Sequence, residues 1–298
     1  RDQYGRDRME YPFFEDLPFS EYKAVVLRAG GQDQSYSKIR DELATGLLQG
    51  MDVNVLTQAY KPYVLYLNGE YWGVYFMKEK RNRFFVAQHE GTENATDLNI
   101  IKSEDTAFYG STQEWRDLMS YVRSHDLNDG AAYAYVDERV DLSSFTDYMI
   151  CEIYAANSDV WNIQYYKLPG GKWKWIYYDF CWSFGSSGTS TTHITHPTLS
   201  IRRLSSKPCS DLFNKLLAVP EWRDAFCRRF AELLKTVYAP ERVNAYIDTL
   251  YGYVEPEMAR EREKFNSATW LGIKQPAINI SDYKEFQDQI ALVRKFAN

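Results

Sequence analysis

Two carboxylates and one amide within residues 157–185 are the side chains of this sequence best suited to phosphoryl-transfer chemistry. Asp159 and Asn162 lie in a loop after a predicted helix, and Asp179 follows the second strand of a predicted hairpin. In kinases one Asp orients and deprotonates the attacking hydroxyl, while an Asn and a second Asp hold Mg²⁺ against nucleotide phosphates. Because Mg²⁺ prefers oxygen ligands, these residue types in this order indicate a metal-dependent site.

The same segment has an ordinary structural explanation. An Asp that follows a strand is common in turns and helix caps, and the run Asn157-Ser158-Asp159 readily forms a turn. The two predicted strands, residues 163–168 and 173–178, are joined by a Pro-Gly-Gly turn. Residue pattern alone therefore leaves a catalytic site and a plain loop followed by a hairpin as open alternatives.

Seven segments spread along the chain carry a resemblance to a known family: VLRAGG (26–31), RD (40–41), YVLYLNGEYWGVYFMKEK (63–80), NSD (157–159), GKWKWIYYDFCWSFG (171–185), PEM (256–258) and EREKF (261–265). With these segments, the chain resembles the CotH kinase family, named for spore coat protein H. The resemblance implies an α+β, atypical protein-kinase-like two-lobed fold, with a small β-rich N-lobe and a larger helical C-lobe. It also implies transfer of the ATP γ-phosphate to Ser or Thr of proteins.

By this resemblance, Asp159 matches the catalytic Asp of the family and Asp179 matches its metal-binding Asp. Asn162 is the implied second metal ligand, with Gln164 as a substitute because the loop after Asp159 is shorter than in the family. Many relatives carry a second acid two residues after the metal-binding Asp, where this chain has Cys181. A thiol is a poor Mg²⁺ ligand, so this departure predicts weakened or lost activity if that acid matters.

Three residues of the first 80 are candidates for binding the nucleotide: Arg28, Lys78 and Glu79. Arg28 ends a strand and can either reach a phosphate or stay at the surface. Residues 77–79 lie where a kinase hinge would hold adenine, although Glu79 can equally pair locally. Asp41 or Glu42, on the first predicted helix, takes the place of the acid that pairs with a kinase lysine, or lies on a solvated face.

Hydrophobic patterning predicts the elements that position these residues. Residues 22–27 form a short apolar strand, and Asn68-Gly69 joins two β-rich runs into a hairpin. Helices are predicted over residues 38–49, from residue 111, and over 143–156, 210–219, 221–238, 240–255 and 256–266, whereas 81–105 are predicted to be loop-rich. We expect a single domain over 1–298, with an N-lobe portion over 1–80, truncated at its start, and the C-lobe over 81–298.

Composition narrows the possible partners. With 35 Lys and Arg against 41 Asp and Glu, the net charge is −6, which disfavours nucleic-acid binding. No apolar run is long enough to span a membrane. The aromatic fraction of 16% also fits a carbohydrate-associated module, although the tryptophans fall in or beside strands, where core packing explains them. The Ser/Thr-rich loop over 186–196, with His193 and His196, is either a substrate-facing segment or a connector.

The favoured hypothesis is a protein Ser/Thr kinase that uses ATP and Mg²⁺, with Mn²⁺ as an alternative metal. By the resemblance, its partners are coat or surface proteins, and its own loop is a further substrate. Its location is the spore coat, or secreted or at the cell surface of a bacterium. The alternative is a catalytically impaired pseudokinase that acts as a scaffold in such an assembly.

Overall fold

The structure is a computed structural model that describes residues 5, 7–103, 105–159, 161–186, 199, 208–266, 269–270, 273–274 and 282–298. Both helices and sheets are present, in a small sheet-rich region and a helical region, which confirms the α+β prediction. The expectation for the Ser/Thr-rich loop falls on residues 187–196, outside the described residues.

The sheet-rich region is built on an antiparallel three-stranded sheet. Its strands are β3 (Val25–Arg28), β5 (Tyr60–Leu67) and β6 (Glu70–Glu79), in the order β3-β6-β5. The predicted hairpin at Asn68-Gly69 is confirmed, because both residues have the positive φ that this tight turn requires. Before it, β1 (Met9–Glu10) pairs with β2 (Glu21–Tyr22).

A short buried helix, α1 (Arg40–Gly46), lies between the strands of this region and the rest of the chain. Ile39, Leu43 and Leu47 are buried in the main core, as their helical spacing predicts. The helix is shorter than the predicted 38–49, and a 3₁₀ turn over Gly31–Ser35 precedes it. Lys38 has a positive φ of 64°, which explains why the helix cannot begin there.

The second large sheet of the molecule is a five-stranded mixed sheet. It consists of β4 (Leu56–Thr57), β7 (Asn99–Lys102), β8 (Thr106–Tyr109), β9 (Gln164–Lys167) and β10 (Lys174–Tyr177), in the order β4-β10-β9-β7-β8. The hairpin predicted over 163–178 is confirmed as β9 and β10. Strand β4 comes from the first 80 residues and pairs in parallel with β10.

Residues 81–105 are predicted to be loop-rich, and the structure adds two regular elements that this prediction missed. The segment contains α2 (Arg83–His89) and strand β7. Asn82 caps α2 by accepting hydrogen bonds from Phe84 N and Phe85 N, and Phe85 packs in a small second core. Each of these elements is short, so neither shows enough periodicity to be recognised from sequence.

The remaining helices are α3 (Gln113–Ser124), α4 (Gly130–Asp137), α5 (Leu142–Tyr154), α6 (Pro208–Leu217), α7 (Pro220–Lys235), α8 (Pro240–Asn266) and α9 (Tyr283–Ala297). Helix α5 packs against β10 of the five-stranded sheet, whereas α8 packs against β6 of the three-stranded sheet. A small pair, β11 (Thr269–Trp270) and β12 (Ile273–Lys274), follows α8. None of the helices in the described ranges is long and apolar enough to cross a membrane.

Helix α8 runs without interruption through Pro256, where the sequence predicted a boundary between two helices. A proline inside a helix removes one backbone hydrogen bond and usually kinks or ends it. Here Val254 and Met258, on either side of it, are fully buried in the main core, and Glu261 is buried one turn later. Packing of this face therefore offsets the cost of the proline.

Candidate active site

Asp179 follows β10 after one intervening residue, Tyr178, where the chain leaves the five-stranded sheet. Its backbone φ of 66° is in the left-handed region, a strained conformation that concentrates at functional sites. The Asp179 carboxylate is held on both sides, because Oδ1 pairs with Arg28 Nη2 and Oδ2 accepts a hydrogen bond from Asn162 Nδ2. The structure thus brings together three residues that the sequence singled out.

Asn162 is held in turn by an aromatic side chain. Its Oδ1 accepts a hydrogen bond of 2.7 Å from the hydroxyl of Tyr178. The Arg81 guanidinium stacks on the Tyr178 ring at 3.4 Å from the centroid and donates to Gln164 Oε1 at 3.2 Å. Gln164 therefore contacts Arg81, and Asn162 is the amide that contacts Asp179.

The loop that carries Asp159 is anchored to the segment after Asp179. Ser158 donates from both its backbone N and its Oγ to Trp182 O, at 3.0 and 3.1 Å. Burial raises the pKa of the Tyr178 hydroxyl to about 12, and the charges of Asp179 and Asp159 act in the same direction. The charges of both carboxylates therefore act on the Tyr178 hydroxyl.

Asp41, on α1, connects two cations to the backbone beside Asp179. Its Oδ2 lies 2.6 Å from Lys78 Nζ and 3.6 Å from Arg28 Nε, and its Oδ1 accepts a 3.0 Å hydrogen bond from Phe180 N. Burial alone would raise the pKa of Asp41, but the charges of Lys78 and Arg28 hold it well below its usual range. Asp41 is therefore ionised and fixes both cations.

Glu42 is a second buried carboxylate beside Lys78. Its Oε1 lies 2.8 Å from Lys78 Nζ. Burial and the neighbouring Asp41 charge raise the pKa of Glu42. Burial lowers the pKa of Lys78, but Asp41 and Glu42 outweigh it and raise the value, so the ammonium stays charged. Asp41 and Glu42 are the two acids for which the sequence predicted a lysine partner, and both contact Lys78.

Cys181 is a buried thiol that completes the surroundings of Arg28. Its Sγ accepts from Arg28 Nη2 at 3.1 Å and donates to Gly30 O at 3.2 Å. Burial, with the charge of Asp41, raises the pKa of Cys181 to about 12, so the sulfur is a neutral thiol at pH 7. A Cβ at Gly31 would lie only 2.7 Å from both Arg28 Nη2 and Cys181 Sγ, so glycine is needed there.

Between the two sheets lies an open cleft with a volume of about 200 Å³, on which five basic side chains converge. They are Arg28, Lys78, Lys80, Arg81 and Lys102, and no acidic side chain lines the cleft with them in the described part of the chain. Arg28 and Lys78 are balanced by the acids described above. No ion pair is formed by the other three within the described ranges, so they leave a positive charge facing the cleft.

Glu79 does not reach this cleft. Successive residues of a strand point to opposite faces, and Glu79 lies opposite to Lys78. Its carboxylate accepts from Ala59 N and contacts His89 Nε2, both at 2.9 Å. Its backbone is also engaged, because Glu79 N donates to Ala59 O and Glu79 O accepts from Gln58 Nε2. No free backbone group is left there for the adenine that the sequence-based comparison with a hinge predicted.

The sequence analysis missed six residues that line the cleft: Val26, Gln58, Lys80, Arg81, Lys102 and Phe108. Lys80 has a visible signal, because it lies two residues after Lys78 and strand alternation places both on one face. Arg81 follows directly. Lys102 and Phe108 lie on β7 and β8, in and just after the segment that was predicted to be loop-rich, so no pattern in the sequence places them at the cleft.

Comparison with family descriptions matches residues 6–298 to the CotH kinase protein family, and the chain therefore belongs to that family. The match spans essentially the whole sequence, and confirms the resemblance carried by the seven segments. A comparison with curated proteins found no match.

Kinase-like proteins use a nucleotide and a divalent metal, so we asked which side-chain oxygen atoms beside the cleft could bind such a metal. Among the residues that the structure describes, no three His, Cys, Asp or Glu side chains are close enough to form a metal site on their own. The carboxylate of Asp179 and the amide of Asn162 are in contact and supply hard oxygen atoms, which suit Mg²⁺ or Mn²⁺ completed by phosphate and water. The residues present fit a metal bound together with a polyphosphate.

Proposed function

We propose that this protein is an ATP-dependent protein kinase that phosphorylates Ser or Thr. The observation that supports the proposal most strongly is the cleft lined by five basic side chains, which opens beside Asp179 and Asn162. Phosphoryl transfer depends mainly on holding the phosphates and neutralising their charge, and this arrangement supplies both functions.

The polyphosphate lies along the basic side chains. Lys80, Arg81 and Lys102 carry the positive charge that is not balanced within the described residues, which suits a triphosphate. Arg28 and Lys78 are fixed by Asp41, so they present charges of defined position rather than mobile ones. Such preorganised cations stabilise a developing negative charge without the cost of rearrangement.

Asp179 and Asn162 hold the divalent metal. When bound, the metal neutralises phosphate charge and fixes the geometry of the transferred group. Oδ1 of Asn162 accepts from the Tyr178 hydroxyl and Nδ2 donates to Asp179, so Asn162 would hold the metal through Oδ1 only after its amide turned over. A hydroxyl can both donate and accept, so Tyr178 would then accept from Nδ2.

Asp159 orients the hydroxyl group of the substrate and accepts its proton. Its loop is fixed to the segment after Asp179 through the hydrogen bonds of Ser158 to Trp182. A carboxylate positioned in this way is the usual general base of a protein kinase. We propose coat or surface proteins of a bacterium as substrates, in the spore coat or outside the cytoplasm, and the chain's own Ser/Thr-rich loop as a further one.

The test is transfer of labelled γ-phosphate from ATP, with Mg²⁺ and separately with Mn²⁺, to the protein itself and to an acidic generic protein. Asp159→Asn should retain ATP binding and lose turnover, because only the base is removed. Asp179→Ala should lose metal-dependent ATP binding as well. Equal ATP affinity in the wild type and Asp179→Ala would refute the metal assignment, and unchanged transfer in Asp159→Asn would refute the base.

A second candidate function, a scaffold without catalysis, is favoured by one specific observation. The Asp179 carboxylate is already engaged by Arg28 and Asn162, and the neighbouring Cys181 is a neutral thiol rather than an acid. In a scaffold this network would be purely structural. Absence of label in every condition, together with no thermal shift on addition of ATP and metal, would favour the scaffold over the kinase.

A further inference from the structure

Two apolar side chains line the otherwise polar cleft, and each comes from a different sheet. Val26 belongs to β3 of the three-stranded sheet, and Phe108 belongs to β8, an edge strand of the five-stranded sheet. Phe108 is 48% exposed and lies at the edge of its sheet. An exposed aromatic ring in a cleft rich in cations needs an explanation.

Phe108 also lies at an irregularity of the sheet. Ile101 pairs with Ala107 and Ile100 pairs with Tyr109, so Phe108 is the extra residue of a β-bulge. Bulges are common at sheet edges next to active sites, where they redirect a side chain. The bulge here directs Phe108 into the cleft, to the same lining as Lys102 of the neighbouring strand.

We propose that Phe108 is the stacking platform for the nucleobase, with Val26 covering the base from the other sheet. The inference rests on the proposed nucleotide function and specifies where the base lies. The exposed ring provides the apolar face that a purine needs, and the basic side chains beside it take the phosphates. Specificity for a nucleotide over inorganic polyphosphate then comes from stacking of the base on Phe108.

The alternative position for the base, along residues 77–79, is already occupied. Strand β6 is the central strand of its sheet and is paired with β3 on one side and β5 on the other. The backbone N and O of Glu79 are bonded to Ala59 and Gln58. The base is therefore held by stacking at Phe108 and not by hydrogen bonds to this strand.

The experiment compares ATP with tripolyphosphate, each with Mg²⁺, by titration calorimetry on the full chain. Phe108→Ala should weaken ATP binding by about tenfold and leave tripolyphosphate binding unchanged, since stacking on one aromatic ring contributes about this much. Leu67→Ala is the matched control, because Leu67 is 47% exposed but lies at the far end of β5. That variant should leave both ligands unaffected.

A second variant makes the result independent of any effect on folding. Phe108→Trp should keep ATP affinity, and its emission relative to that of the wild type should change on addition of ATP but not of tripolyphosphate. Equal weakening of both ligands in Phe108→Ala, or no weakening of either, would overturn the base assignment while the phosphate cleft stands. A wild type that binds neither ligand would refute the proposed function itself, and the base site with it.

Discussion

Arg28 and Asp179, which are 151 residues apart in the sequence, form a direct ion pair between the two sheets. The Arg28 guanidinium therefore contacts the carboxylate of Asp179, which is the proposed metal ligand. Arg28 is in turn fixed by Asp41 and by the thiol of Cys181. A divalent cation can therefore reach Asp179 fully only if Arg28 gives up this contact, for example to a phosphate.

Competition between Arg28 and the metal gives a first prediction. Arg28→Ala should bind Mn²⁺ about tenfold more tightly in the absence of nucleotide, because a charge-assisted contact to Asp179 is removed. The same variant should bind ATP more weakly. Mn²⁺ titration followed by electron paramagnetic resonance measures the first effect and calorimetry the second. Arg229→Ala, which breaks an ion pair to Asp147 elsewhere, is the control, and tighter Mn²⁺ binding in that variant would exclude the competition.

Removal of the buried Asp41 carboxylate should cost stability. Asp41→Asn leaves the buried Lys78 and the half-buried Arg28 without their shared partner, so the free energy of unfolding should fall by about 3–5 kcal/mol at pH 7. Urea denaturation measures the loss. Asp105→Asn, which removes an exposed pair with Arg116, should cost less than about 1 kcal/mol. Similar losses in the two variants would show that the network around Asp41 is not structurally important.

The same carboxylate predicts a dependence on pH. The pKa of Asp41 in the fold lies below its ordinary value of 3.8, so the unfolded chain binds the additional proton as the pH falls through that value. The stabilisation is present above about pH 4 and is lost below it. Wild-type stability should therefore decline more steeply in acid than that of Asp41→Asn, as followed by urea midpoints between about pH 5 and 2. Parallel curves would contradict this prediction.

Substitution of Gly31 by alanine, compared with the same substitution at Gly50, separates the cost of a steric overlap from the cost of a positive φ. Gly31→Ala should destabilise the fold by about 1–3 kcal/mol beyond the cost of its positive φ, because the new methyl group overlaps Arg28 and Cys181. Gly50→Ala is the matched control, since Gly50 also has a positive φ but nothing lies within 4 Å of its Cβ position. Thermal unfolding gives the difference, and ATP binding should weaken only in Gly31→Ala. Equal destabilisation by the two substitutions would mean that Arg28 and Cys181 move away from the new methyl group at little cost.

The thiols give a chemical test of the site. Cys227 is exposed, whereas Cys181 is buried with its pKa raised to about 12. Since the thiolate is the reactive form, iodoacetamide at pH 8 should label Cys227 and spare Cys181 until the chain is denatured. Peptide mass analysis with and without urea measures this. Rapid labelling of native Cys181 would show that its contact with Arg28 opens in solution.

Local signals made part of the fold predictable. The Asn-Gly turn and the hairpin that contains Asp179 depend on neighbouring residues, and both are confirmed. The long apolar face of α8 is also local, but the continuation through Pro256 depends on packing against distant residues. Likewise α2 and β7 are too short to show periodicity, and they form because other parts of the chain cover them.

The site was predictable in its residue types but not in its partners. Spacing and resemblance singled out Asp159, Asn162 and Asp179, and the last two are in contact. The contact of Asp179 with Arg28 joins residues too far apart for any local pattern to reveal it. The side of β6 that Glu79 faces follows from strand alternation once the strand is known, but which side borders the cleft depends on the tertiary fold.

Strand β4 is only two residues long, yet it comes from the first 80 residues and adds to the sheet whose strand β10 leads into Asp179. A cut at residue 80 would remove it and leave β10 as an unpaired edge, which invites aggregation. The early part of the chain is therefore needed to complete this sheet. Any opening of the cleft that moves the first 80 residues away from the five-stranded sheet must likewise bend around this pairing or break it.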